Sequence, residues 1–375
     1  MTASKVLPRQ RRGRIGVLLA TIVMTSACTV GGEDGIGPSG ARLHEWRNGG
    51  WQDWSADTWP RDPGSFWNPV IDGLWSPERM RAARDPVKEA PVENAEAAGD
   101  ADRAPEPTGT ETVPVPHRRT APAVGKIFFD TPRGPSACSG TVVRDPARPG
   151  RSSLVWTAAH CLHAGKEGGW FRNISFVPSF NERAVPTDAR LSASGARPAP
   201  FGQWWADWAA TPGEWRSEGT AAGAAGAAFD YAVLHVTPPA GAGGTSLEET
   251  VGAALPVAFD TLPRAVGTVG IWGYPAGEAA ADGATLRLCT GRPRRGSVTR
   301  AGVAMHRVGC GTTGRSSGGG WLATDGVGGT VLVSNTSTAS GTSAASGSTA
   351  WLAGPMLGAS AGSVLHEVSA RYGTN

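Results

Sequence analysis

Hydrophobic residues in this chain come in short bursts rather than long periodic stretches. Apolar and β-branched runs recur between turn residues: Val124-Gly-Lys-Ile-Phe-Phe129, Ser139-Gly-Thr-Val-Val143, Ser153-Leu-Val-Trp-Thr157 and Asn173-Ile-Ser-Phe-Val177. The same texture continues at 231–236, 267–272, 285–288 and 329–333. Runs of this length, bounded by Gly and Pro, read as strands. With almost no sustained helical period, they predict an antiparallel all-β body, built as barrels or a sandwich.

Two stretches depart from that texture. In Trp75-Ser-Pro-Glu-Arg-Met-Arg-Ala-Ala-Arg84, Ser76 can cap, Pro77 suits the first helical position, and Glu78 suits the positive end. Pro86 then stops a short helix that has little apolar sequence around it. Near the end, Val364, Leu365 and Val368 stand at helical spacing and predict a short closing helix over 360–370. Residues 334–348 are a Ser/Thr/Gly/Ala tract and read as loop.

Before Val124 the chain reads differently. Residues 29–123 are irregular and carry six of the 15 tryptophans (Trp46, Trp51, Trp54, Trp59, Trp67 and Trp75). Residues 85–122 combine charge, Ala and repeated Pro, the composition of a linker. A pro-segment packed on a folded body suits residues 29–123, and Arg118-Arg119 reads as a processing site. The tryptophans would alternatively suit a sugar-binding platform. The organisation expected is therefore 1–28 export signal, 29–123 pro-segment or linker, and 124–375 one folded domain.

Composition narrows the function. Of 375 residues, 53 are Gly and 29 Pro, so turns are plentiful, and 40% are hydrophobic, enough for a core. The formal charge of +3 owes everything to Lys5, Arg9, Arg11, Arg12 and Arg14; without these five, 30 basic residues face 32 acidic ones. No basic patch remains in the body, so nucleic acid is not an expected partner. Those charges precede an apolar run, Ile15 to Met24, and then Thr25-Ser-Ala-Cys28, the plan of an export signal too short to span a bilayer. Cys28 directly after small residues resembles the lipidated cysteine of bacterial lipoproteins, although Thr25 stands where leucine is usual.

An exported chain makes disulfides durable. Apart from Cys28, the four remaining cysteines are Cys138, Cys161, Cys289 and Cys310. They allow three pairings, of which the sequential one closes two short loops; buried free thiols are the alternative.

Chemistry concentrates in Cys310-Gly-Thr-Thr-Gly-Arg-Ser-Ser-Gly-Gly-Gly-Trp321. A serine in a tight glycine turn offers an exposed hydroxyl together with backbone N–H groups free to converge on one oxygen, as acyl transfer requires. Upstream stand a histidine in Thr157-Ala-Ala-His160-Cys161 and an aspartate in Phe229-Asp230-Tyr-Ala-Val-Leu234. Asp188, Asp207, Asp260 and Asp282 also lie between His160 and Ser317, but Asp230 leads into an apolar strand that would bury its carboxylate. The order His…Asp…Ser distinguishes this set from an esterase order.

At these motifs the chain resembles the chymotrypsin-like (trypsin-like) serine peptidases, in particular their exported bacterial branch. The resemblance runs through Cys138-Ser-Gly-Thr, Ala159-His160-Cys161, Phe176-Val-Pro178, Trp272-Gly-Tyr-Pro275, Ser317-Gly-Gly and Gly354-Pro-Met-Leu-Gly358, over about 250 residues. It implies two Greek-key β-barrels with a site between them, and a serine-type endopeptidase as the activity. Ser317 would be the nucleophile, His160 the general base and acid, and Asp230 the group that fixes the imidazole. The backbone N–H groups of Arg315 and Ser317 would form the oxyanion hole. Cys138–Cys161 would staple the histidine loop, and Cys289–Cys310 would brace the segment carrying Ser317. The resemblance implies a protein or peptide substrate, a monomer, and no cofactor or metal.

Two departures bear on activity. Arg315-Ser316 stands where the family has Gly-Asp or Gly-Ser, so activation through a salt bridge to that aspartate is not expected. Arg315 also restricts a peptide geometry that glycine would permit, which leaves a weak or inactive homologue serving as an extracellular binding module as the alternative. Gly311 falls six residues before Ser317 and no acidic residue lies between 303 and 324, so a pocket for Arg or Lys is not expected. Ser334–Ser337 along a pocket wall would favour small or neutral side chains. The insertion over 165–229, with Trp204, Trp205, Trp208 and Trp215, reads as surface loops around the site, or as core for some of those rings. Gly314-Arg-Ser316-Ser-Gly318, with Asp325 and His366 after it, also fits an esterase nucleophile elbow, but no alternating α/β pattern accompanies it.

Overall fold

A computed structural model describes residues 40–53, 66–86, 88–90, 108–181, 198–220, 225–239, 243–275, 285–298, 304–311, 316–340 and 351–373. Two short strands come first, β1 (Glu89–Ala90) and β2 (Thr110–Thr112). Next come β3 (Val124–Thr131), β4 (Gly134–Val143), β5 (Leu154–Thr157), β6 (Arg172–Pro178), β7 (Trp204–Ala210) and β8 (Ala232–Thr237). These six close an antiparallel barrel in the order β3-β4-β5-β8-β7-β6.

Alternation along the strands explains what covers the barrel on both sides. On β3, Ile127 and Phe129 enter the interior with Val142, Val155, Ile174, Phe176 and Leu234. Val124 and Phe128 face the other way, into a second cluster with Trp75, Met80, Phe180, Trp205 and Tyr274. Successive side chains point to opposite faces of a strand, and here both faces are apolar because both are packed. Part of the outer layer on this side comes from residues before Val124, among them Trp75, Met80, Ala83 and Val113. The predicted helix forms at Pro77–Ala82; Ser76 Oγ accepts the Arg79 N–H at 3.3 Å, and Met80 is buried. The indole N–H of Trp75 donates to the Asn173 carbonyl at 2.7 Å. The little apolar sequence near this helix understates its packing, since its partners come from the barrel.

The second half holds β9 (Val269–Gly273), β10 (Arg287–Gly291), β11 (Arg294–Gly296), β12 (Met305–Gly309), β13 (Gly320–Thr324), β14 (Thr330–Asn335), β15 (Thr338–Ser340) and β16 (Trp351–Gly354). They form two five-stranded sheets, β14-β13-β9-β10-β2 and β1-β15-β16-β12-β11. The sheets share one core of Val269, Ile271, Val308, Trp321, Val333 and Leu352. Barrel closure is found in the first half. The closing helix Ala359–Tyr372 lays Val364, Leu365 and Val368 against Leu154, Trp156 and Val233 of the barrel. Burying each such side chain contributes roughly 1.5–3 kcal/mol.

Three segments hold more regular structure than a loop or irregular reading gives them. In the 165–229 insertion the core alternative holds for some of the rings: Trp204 and Trp215 are fully buried, and Trp204–Ala210 is a barrel strand rather than surface loop. Its Ala-rich, charge-interrupted sequence hides the strand pattern. The Ser/Thr tract after 334 is not all loop, because Ser334 and Asn335 end β14 and Thr338–Ser340 is β15. Strand structure also begins before Val124, with β2 paired to β10 and β1 paired to β15. Three- and two-residue strands leave no periodic signal.

Candidate active site

Strand pairing brings His160 and Asp230 together. β5 and β8 are antiparallel with Thr157 opposite Ala232, so the turn leaving β5 meets the turn entering β8. After Thr157 the chain enters a 3₁₀ turn, Ala159–Cys161, and before β8 it makes another, Ala227–Phe229. Both side chains, His160 and Asp230, are wholly buried. The disulfide Cys138–Cys161 ties the histidine turn to β4.

The contact between them is double. The His160 backbone N–H donates to Oδ1 of Asp230 at 2.9 Å, and ring Nδ1 lies 2.8 Å from Oδ2. An ionised carboxylate only accepts, so Nδ1 carries the proton and Nε2 is left as the acceptor. Nε2 is buried with no hydrogen-bond partner among the described residues. Ser337 Oγ donates to the same Oδ2 at 2.6 Å, and the Asn335 amide donates to the Asp230 carbonyl at 2.9 Å. Burial alone would raise the Asp230 carboxyl, but the His160 and Lys88 charges and hydrogen bonds hold it below the ordinary carboxylate range.

Ser317 comes from the other half, in the turn before β13. Gly318 adopts φ +74°, and its N–H donates to the Thr336 carbonyl at 2.9 Å. Ser139 N–H donates to the Ser317 carbonyl at 2.7 Å, which docks the turn onto β4. A Cβ on Gly318 would sit 2.1 Å from Thr157 Oγ1 and 2.5 Å from the Ser139 carbonyl oxygen. This is the close approach that requires glycine after the serine. The serine turn thus presses on Thr157 and Ala158, the residues that lead into the histidine turn.

Cys289–Cys310 joins β10 to the residue after β12. Arg315 and Cys28 lie outside the described residues, so the Arg315 half of the expected oxyanion pair and the lipidation of Cys28 have no structural account. Ser334 does not face an open pocket: its hydroxyl donates to the Pro355 carbonyl at 2.8 Å and it is fully buried. The esterase set is not assembled. Asp325 caps its own turn through the Val327 and Gly329 N–H groups at 3.0 and 2.7 Å, and His366 is exposed on the closing helix. His163 is a structural residue: its Nδ1 accepts the Gly165 N–H at 3.0 Å, and burial, with Arg216 and Arg172 nearby, lowers its pKa to about 4. Cys138, His160 and Cys161 are close enough to share a metal, but the two sulfurs are bonded to each other and offer no thiolate.

Two contacts at this site have no signal in the sequence. Lys88 is buried with Nζ 2.8 Å from Oδ2 of Asp230 and 4.3 Å from the centre of the Trp215 ring. Oδ2 of Asp85 accepts the backbone N–H of Ser317 at 3.4 Å. Both residues fall where composition reads as linker. Ser337 and Asn335, hidden in the Ser/Thr tract, are signalled only by their closeness to the end of an apolar strand.

No protein-family model matches the sequence, and no curated protein matches it. Among solved structures the chain is similar to a thermostable serine protease, AL20, from an extremophilic microorganism. The two are 28% identical, 68% of this chain and 99% of that one are covered, and the TM-score is 0.50. It is also similar to the protease Anisep from Arthrobacter nicotinovorans, at 25% identity over 70% of this chain and 99% of that one, with a TM-score of 0.51.

Proposed function

On the premise that the fold is that of the chymotrypsin-like serine peptidases, we propose that this chain is an exported serine endopeptidase. The observation that carries the reading is the double hydrogen bond from His160 to a buried Asp230, beside the docked Ser317-Gly318 turn. Ser317 Oγ attacks the substrate carbonyl while His160 Nε2 takes its proton. Asp230 fixes the tautomer that leaves Nε2 free and stabilises the imidazolium that forms. The oxyanion receives the Ser317 N–H, with the Arg315 N–H as second donor. Collapse expels the amine, which leaves with the proton held by His160, and an acyl-enzyme remains. Water then enters, gives its proton to His160, and releases the acid and the Ser317 hydroxyl.

Export is supported by two disulfides, which persist in an oxidising compartment. Anchoring through a lipid on Cys28 belongs to the same reading. The substrate class is protein or peptide, and the lack of acidic residues from 303 to 324 favours a neutral side chain at the cut.

A fluorophosphonate probe with peptide mapping tests this. Ser317 Oγ should displace fluoride at phosphorus, and the label should be lost in His160→Ala. Label on Ser316 instead would support the esterase elbow. No label on either serine, in the intact chain or in a chain with residues 85–90 replaced, rejects the peptidase reading in favour of a binding homologue.

A further inference from the structure

Residues 84–86 and 88–90 lie at the site around His160, Asp230 and Ser317. Arg84 pairs with β4: its N–H donates to the Pro135 carbonyl at 3.2 Å, and its carbonyl accepts the Ala137 N–H at 2.8 Å. Asp85, only 7% exposed, then places Oδ2 on the Ser317 N–H. Three residues later, Lys88 Nζ reaches Oδ2 of Asp230. The Lys88 carbonyl accepts Thr338 Oγ1 at 3.1 Å, and Glu89 and Ala90 pair in parallel with Ala339 and Ser340 of β15.

Each contact takes something a substrate would need. A carboxylate oxygen on the Ser317 N–H sits where the negative oxygen of a tetrahedral intermediate would bind. Lys88 shares Oδ2, the carboxylate oxygen that holds the His160 ring, so its ammonium competes with the imidazole for one acceptor. β15 has β16 on one side only, and its other edge is the natural place for an extended peptide to add as a strand. That edge carries β1 instead. A lysine is almost never fully buried unless paired, so its partner Asp230 specifies the path of this segment.

Resting on the peptidase reading above, we propose that Asp85, Lys88 and the Glu89–Ala90 strand act together as an intramolecular inhibitor. They block the oxyanion donor, the Asp230 carboxylate and the β15 edge at once, and the chain is latent until the segment is displaced or cut away.

The test compares rates of fluorophosphonate labelling at Ser317. One chain is intact; the other carries Gly-Ser-Gly-Gly-Ser-Gly in place of residues 85–90. The replaced chain should label about tenfold to a hundredfold faster, because a tethered segment acts at an effective concentration near millimolar. The synthetic peptide Arg84-Asp-Pro-Val-Lys-Glu-Ala-Pro91, added at millimolar concentration, should slow the replaced chain again. The same peptide with Lys88→Ala should not. If the replaced chain fails to melt cooperatively, Lys88→Ala and Asp85→Ala in the full chain are read in the same way. Equal rates in intact and altered chains would overturn the inhibitor and leave Ser317 standing as the nucleophile. No label in any of them would remove both.

Discussion

The indole N–H of Trp156 donates to Oδ1 of Asn335 at 2.9 Å, joining barrel strand β5 to the end of β14 in the second half. The same amide donates through Nδ2 to the Asp230 carbonyl. One side chain therefore bonds both a barrel tryptophan and the residue that holds the imidazole. Asn335→Ala would leave a buried indole N–H and a buried carbonyl without partners, at roughly 1–3 kcal/mol for each. Urea unfolding should show that loss, and Ser317 labelling should slow. Unchanged stability would show that the two halves are held together elsewhere.

Removing the chemistry one group at a time should give a graded result. By analogy with other triads, Ser317→Ala should lose on the order of 10⁶ in kcat. Asp230→Asn should lose about 10⁴, because an amide favours the wrong imidazole tautomer. These are best measured on a chain freed of the cleft segment, with a peptide substrate. Equal activity of Ser317→Ala and its parent would remove Ser317 from the mechanism.

Gly318→Ala combines a left-handed backbone with a Cβ 2.1 Å from Thr157 Oγ1. Strain at such a φ costs about 1–3 kcal/mol before the clash is counted. The melting temperature should fall and Ser317 labelling should drop, since the turn must lift off Ser139 and Thr157. A variant that melts and labels like the parent would show that the turn does not need this geometry.

Stability should fall as pH is lowered from about 6.5 to about 4. Burial lowers the pKa of His163 and of His306 from 6.5 to about 4. Across that window the unfolded chain binds a proton at each ring while the folded chain does not, so protonation favours unfolding. Two and a half units correspond to roughly 3 kcal/mol per ring at most. Asp130 acts in the opposite sense, since burial raises its carboxyl despite the Asn173 and Arg79 contacts. Asp230, held low, loses its contribution only at more acid pH. Urea midpoints at pH 7, 5.5 and 4.5 should decline in that order, and a flat profile in an Asp130→Asn chain would show that the two rings do not carry this pH dependence.

Much of the architecture was legible because its strands are short, apolar and bounded by turns. The runs at Val124, Ser139 and Asn173 lie within β3, β4 and β6, the run at Ser153 overlaps β5 from Leu154 on, and Val364, Leu365 and Val368 are buried on the closing helix. β7 escaped because Ala206, Asp207, Ala209 and Ala210 do not alternate in polarity, and its burial comes from tryptophans that equally suit a loop. β1 and β2 escaped because two or three residues carry no period; only an existing sheet edge makes them strands.

Residue types and their order were enough to single out His160, Asp230 and Ser317 as candidates and to offer the sequential pairing of Cys138 with Cys161 and Cys289 with Cys310 as one of three. Those are local properties: a glycine turn, an apolar strand after an aspartate, a small loop between cysteines. Which carboxylate holds the imidazole was decided by the β5–β8 register, and the path of the linker-like segment was decided by a buried ion pair between residues 142 positions apart. Long-range pairing of that kind leaves no trace in composition, because the lysine is buried only where the rest of the fold supplies its aspartate.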